Sequence, residues 1–112
     1  MAESNATAAA NQPNVLPLEG EIDLHVSPRV ALALGQIVKK KPAKLVVDLT
    51  RVTYIDSSGL AVLIEAMQAV EEYGGIFAIA GMQETVRSIF EIARLDQVFR
   101  IYPDVDSALE AT

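Results

Sequence analysis

Two short apolar runs, Leu45-Val46-Val47-Asp48-Leu49 and Ile76-Phe77-Ala78-Ile79-Ala80, constrain the fold more than any other feature of this chain. Each is brief and aliphatic, with turn-compatible residues around it, which is the pattern of a buried strand. Between them Leu60, Leu63, Ile64, Met67 and Val70 recur at helical spacing, with Glu65, Gln68 and Glu72 on the opposite side. Ser57-Ser58-Gly59 opens that helix, which runs to about Tyr73 before Gly74-Gly75 stops it. The order strand, helix, strand predicts an α/β layer, with helices covering a sheet.

The flanks extend the alternation. Ser27-Pro28 predicts a helix start with Ser27 as N-cap, because a serine oxygen accepts from free amides and proline suits the first turn. Val30, Ala33, Leu34 and Ile37 form its apolar face through about Lys40, and Pro42 prevents continuation. A third helix is expected over about 83–93, an extended segment over 98–102, and a terminal helix over 105–111 with Asp104 as its cap. Upstream, residues 14–20 suggest a short strand that Pro17 confines to an edge or a bulge. Residues 20–23 read as a turn or loop presenting Glu21 and Asp23. Residues 1–13, made largely of Ala, Asn, Ser and Thr, read as a disordered tail ahead of one domain over 14–112.

Composition excludes several functions. There is no cysteine, so disulfides and thiolate chemistry are out. Fifteen acidic against nine basic residues give a net charge of −6, which argues against direct nucleic-acid binding. The basic run Lys39-Lys40-Lys41 falls at a helix end, where cations complement exposed carbonyls. Glu65 interrupts the most apolar stretch, so no membrane insertion is expected.

The strand-to-helix junction Ile55-Asp56-Ser57-Ser58-Gly59 invites comparison with a nucleophile elbow, but it lacks the first glycine of Gly-x-Ser-x-Gly. His25 is the only histidine and lies upstream beside a helix start, where it reads as a surface or loop residue and not as a base for Ser57. No phosphate-binding glycine loop and no metal-ligand spacing occurs, so no cofactor, no metal and no enzymatic activity are expected. Two readings of the junction remain open. Asp56 or the serines cap the helix, or Ser57 accepts a phosphate close to the positive end of the helix and thereby alters binding to a partner. Val62, Ala66, Ala69 and Tyr73 widen the apolar sector of the same helix, either as a docking face or because the helix is buried on two sides.

The motifs Gly20-Glu21-Ile22-Asp23, Val46-Val47-Asp48-Leu49-Thr50 and Tyr54-Ile55-Asp56-Ser57-Ser58-Gly59-Leu60, followed by Gly74-Gly75 and a late helix near 86–93, resemble the STAS domain. The likeness covers about residues 15–110 and is greatest to the bacterial anti-sigma-factor antagonists. It implies a small mixed β-sheet covered by helices, and a cytoplasmic binding module. In that family a serine kinase that is also the anti-sigma factor phosphorylates the serine after the aspartate, here Ser57, and a metal-dependent serine phosphatase reverses this. The unphosphorylated form binds the anti-sigma factor and frees the sigma factor. Asp56, Ser58 and Gly59 then shape the phosphoacceptor turn, and Glu21, Asp23, Leu60 and Val62 are the partner-facing candidates. The short segment before Gly20, broken by Pro17, departs from the family's opening hairpin and predicts a first strand that is absent or irregular. The alternative within the same fold is a constitutive STAS subunit of a transporter or lipid-transport ATPase complex, with no phosphorylation switch.

Overall fold

The computed structural model describes residues 14–111; the expected tail over 1–13 lies outside them. Four strands, β1 (Asn14–Ile22), β2 (Lys44–Ile55), β3 (Ile76–Ala80) and β4 (Arg100–Tyr102), form one sheet in the order β1-β2-β3-β4. Four helices follow them in turn: α1 (Ser27–Val38), α2 (Ser57–Glu72), α3 (Glu84–Ile92) and α4 (Val105–Glu110). Every pairing among these strands is parallel. The mixed sheet implied by resemblance is therefore not what the described residues form, since each pair is joined by a helical crossover that returns the chain to the same starting edge.

Alternation along β2 and β3 sorts the core. Leu45, Val47, Leu49, Phe77 and Ile79 point into the main core with α1, α2 and α3, whereas Val46, Ala78 and Ala80 face the opposite side, under Ala108 of α4. This second layer is thin because α4 is short and offers few apolar groups. Lys44 reinforces it: its ammonium, on a residue only 9% exposed, donates to the carbonyls of Ala108 at 2.8 Å, Leu109 at 3.3 Å and Ala111. These carbonyls have no helical donors left, and a cation complements the negative end of the helix.

Three expectations about element bounds and capping need correction. The first strand, expected to be absent or irregular, is present and irregular: its register against β2 shifts between Pro17 and Glu19 and again between Gly20 and Glu21. Residues 20–22, expected in a loop, belong to it, because the shifts let Ile22 pair with Ile55 and enter the core at 2% exposure. β2 likewise runs past residue 49 to Ile55, with Val52 and Ile55 buried and Arg51, Thr53 and Tyr54 exposed. Finally, Ser27 is not the cap of α1. Val26 holds that position without a side-chain bond, and Asp23 supplies the acceptors: its carboxylate takes the amides of His25 and Val26, and its carbonyl takes those of Val26 and Ser27.

The expected spans of the other helices agree with the structure to within a few residues, and Asp104 caps α4 by accepting the Ser107 amide at 2.7 Å. Gly35 lies inside α1 with ordinary helical geometry, and a Cβ there would meet nothing within 4 Å. Gly35→Ala is expected to stabilise the fold by about 0.5–1 kcal/mol through the lower entropy of the unfolded chain. An unchanged or lowered urea midpoint would contradict this.

Candidate functional site

The C-terminal ends of β1 and β2 and the start of α2 build the site. Val52 and Ile55 anchor β2 in the core and so fix where the chain must turn into α2. Asp56, in extended conformation, is the N-cap. One carboxylate oxygen accepts the Ser58 amide at 2.9 Å, the Gly59 amide at 3.1 Å and the Ser58 hydroxyl at 2.6 Å. The Ser58 hydroxyl is the main cause of an Asp56 pKa below the ordinary carboxylate value; burial opposes it, and the amides of Gly59, Ser58 and, least, Leu24 add to it. The Asp56 carboxylate thus favours its anionic form, and it satisfies the amides of Ser58 and Gly59.

This arrangement leaves Ser57 spare. Its side chain is exposed, heads the helix, and has no hydrogen-bond partner among the described residues. Ser58 is turned inward to Asp56, so the two adjacent hydroxyls are not equivalent. Gly59 is buried where α2 crosses the strand ends: a Cβ would lie 2.7 Å from Ile55 Cγ1, 2.9 Å from Ile22 Cγ2 and 3.0 Å from the Ile22 carbonyl oxygen. That carbonyl also accepts the Asp56 amide at 3.1 Å, which ties β1 to the turn.

The remaining sequence candidates are placed unequally. Glu21 is exposed and paired in register with Tyr54, itself 45% exposed, close to the end of β2. Asp23 is half-buried and spends its carboxylate on the turn before α1, with His25 Nδ1 3.8 Å away. Leu60 is buried in the main core and offers little surface to a partner, because the first turn of α2 lies flat on the strand ends. Val62 is half-buried and lines a shallow groove of about 160 Å³ between α1 and α2, together with Leu34, Val38, Ala66 and Ala69. The wide apolar sector of α2 is thereby accounted for: one side packs on the sheet and the other on α1. Sequence reasoning missed Leu24, which lies two residues after the Ile22 carbonyl that binds the Asp56 amide and whose side chain is 69% exposed. The signal available was a lone leucine between Asp23 and His25.

Among the described residues no group of three His, Asp or Glu side chains is placed to hold a metal, and no helix is long and apolar enough to cross a membrane.

The sequence profile of the STAS domain matches residues 6–108. The chain belongs to the STAS domain family. Among its relatives, the anti-sigma-B factor antagonist of Listeria monocytogenes is 33% identical over 82 residues, which cover 73% of this chain and 72% of that protein. The crystal structure of an anti-sigma factor antagonist from Mycobacterium paratuberculosis superposes with a TM-score of 0.78 at 32% identity, over 85% of this chain and 80% of the other. A sulfate transporter family protein from Wolinella succinogenes has the same fold, with a TM-score of 0.76 at 20% identity over 87% of this chain and 81% of the other. This STAS domain therefore shares its fold with proteins of differing description, and what distinguishes them must lie in their sites.

Proposed function

We propose that this STAS domain is a cytoplasmic anti-sigma factor antagonist, switched by phosphorylation of Ser57. Unphosphorylated, it binds an anti-sigma factor that is also a serine kinase, and the sigma factor is released. Phosphorylation ends the binding, and a serine phosphatase restores it. The role is one of binding and not of catalysis.

One observation carries this reading: Asp56 does all the side-chain capping of α2, so the exposed Ser57 hydroxyl has no structural duty to lose. No base is hydrogen-bonded to it among the described residues, which supports acceptor over nucleophile. A phosphate there adds about 1.5 to 2 negative charges at pH 7. It would stand next to the Asp56 anion, on a face that also carries Glu21 and Asp23. The positive end of α2 offsets part of that charge within the fold, so the burden falls on a partner that must approach. The relatives named as anti-sigma factor antagonists support the choice of partner.

Mass spectrometry after incubation with ATP and the purified serine-kinase anti-sigma factors of the same genome tests the assignment. Phosphate on Ser57 is expected. Phosphate only on another residue would overturn the site, and none at all would favour a constitutive subunit of a membrane transport complex.

A further inference from the structure

The face around Ser57 carries one apolar side chain that a phosphoacceptor turn does not need. Leu24 is 69% exposed, yet the residues on both sides of it are hydrogen-bonded in place. On one side Asp23 takes the amides of His25 at 2.9 Å and Val26 at 3.3 Å on its carboxylate, and those of Val26 and Ser27 on its carbonyl. On the other, the Ile22 carbonyl, two residues before Leu24, accepts the Asp56 amide at 3.1 Å. A leucine displayed in water by a rigid loop contributes nothing to folding, and its apolar surface is stabilising only when something covers it. Because the loop is already ordered, covering it costs little further entropy, which is the condition under which one side chain dominates an interface.

We propose that Leu24 is the apolar anchor by which this face seats the serine kinase acting on Ser57, entering an apolar pocket beside the kinase's phosphate-donating site. This rests on Ser57 being the phosphoacceptor. Two observations select that occupant. The bond between the Ile22 carbonyl and the Asp56 amide brings the Leu24 loop beside the Ser57 turn, so a protein that covers Leu24 also lies over Ser57. The rim contains Glu21, Asp23 and Asp56, so the pocket that receives Leu24 must be edged with basic groups. A second copy of this chain, with a net charge of −6, would meet the rim with like charge.

The test uses the full chain with Leu24→Ala and Leu24→Met, and with Ile92→Ala as a control. Ile92 is 84% exposed at the end of α3 remote from the strand C-termini. With ATP and the purified serine-kinase anti-sigma factors of the same genome, Leu24→Ala is expected to raise KM for the phosphorylation of Ser57 by about tenfold or more. Leu24→Met should restore most of the loss, Ile92→Ala should stay within about twofold of wild type, and all should melt together, since exposed substitutions change stability little. A wild-type KM for Leu24→Ala, with wild-type Ser57 phosphorylated, overturns the anchor and leaves the phosphoacceptor standing. Failure of every kinase to phosphorylate wild-type Ser57 overturns both. A dimer of the wild-type chain in sedimentation that Leu24→Ala dissociates would assign the residue to a second copy, and would also overturn the proposal.

Discussion

Gly59→Val is expected to lower the stability of the domain by about 3 kcal/mol, the upper end of what overpacking a close-packed core costs. Even the first added carbon would meet Ile55 and Ile22 at less than 3.0 Å, and one of its three nearest atoms is the Ile22 carbonyl oxygen, which is backbone and cannot rotate away. To accommodate a branched side chain, α2 must lift from the strand ends, and the Asp56 amide must then loosen its bond to Ile22. A domain of this size has only about 5–15 kcal/mol in total, so the loss is a large fraction of it. Urea denaturation provides the measurement: a midpoint shifted strongly downward at unchanged slope is expected, opposite in sign to that of Gly35→Ala. If Gly59→Val melted with wild type, the close approach of α2 to β1 would be wrong.

The second large effect concerns binding. Ser57→Asp should weaken affinity for the anti-sigma factor by about tenfold or more, which is roughly 1.4 kcal/mol. Ser57→Ala should bind within about twofold of wild type and remain insensitive to ATP. The sign follows from the division between the two serines: the Ser57 hydroxyl makes no hydrogen bond among the described residues, so removing it costs little, while a carboxylate there adds charge next to Asp56. Ser58 behaves differently, because its hydroxyl donates to Asp56 at 2.6 Å and its loss would disturb the cap itself. Titration calorimetry of both Ser57 variants gives the comparison directly. Equal affinities would remove the electrostatic basis of the switch.

Much of this was legible before any coordinates. The short apolar runs at 45–49 and 76–80 had the pattern of buried strands, and the spacing of Leu60, Leu63, Met67 and Val70 marked α2. Where the reading fell short, the residues were carrying mixed duties. Thr50 to Tyr54 shows polar side chains to solvent while still pairing with β1, so its strand character is hidden in a sequence that looks like a loop. Ile22 is similarly disguised, lying between Glu21 and Asp23 although it is core. At the site, the sequence located the turn but left capping and phosphate acceptance as rivals. The positions of the Asp56 oxygen and the two hydroxyls show which residue caps the helix and which serine stays exposed, since adjacent serines are chemically identical until a neighbour binds one. The width of the apolar face on α2 was visible; that α1 covers part of it depends on how the helices meet across the sheet.

The bonds from Lys44 to the last turn of α4 join residues 64 and more positions apart in the chain. They close only when β2 is already laid down and nearly the whole polypeptide has returned to it, so they belong to the late steps of folding, when little loop entropy remains to be lost. Contacts made that late act mainly on the escape from the native state and little on the approach to it. Lys44 is in this sense a brake on unfolding: it fastens the last turn of α4 to the start of β2, at the end of the sheet opposite the turn that carries Asp56 and Ser57.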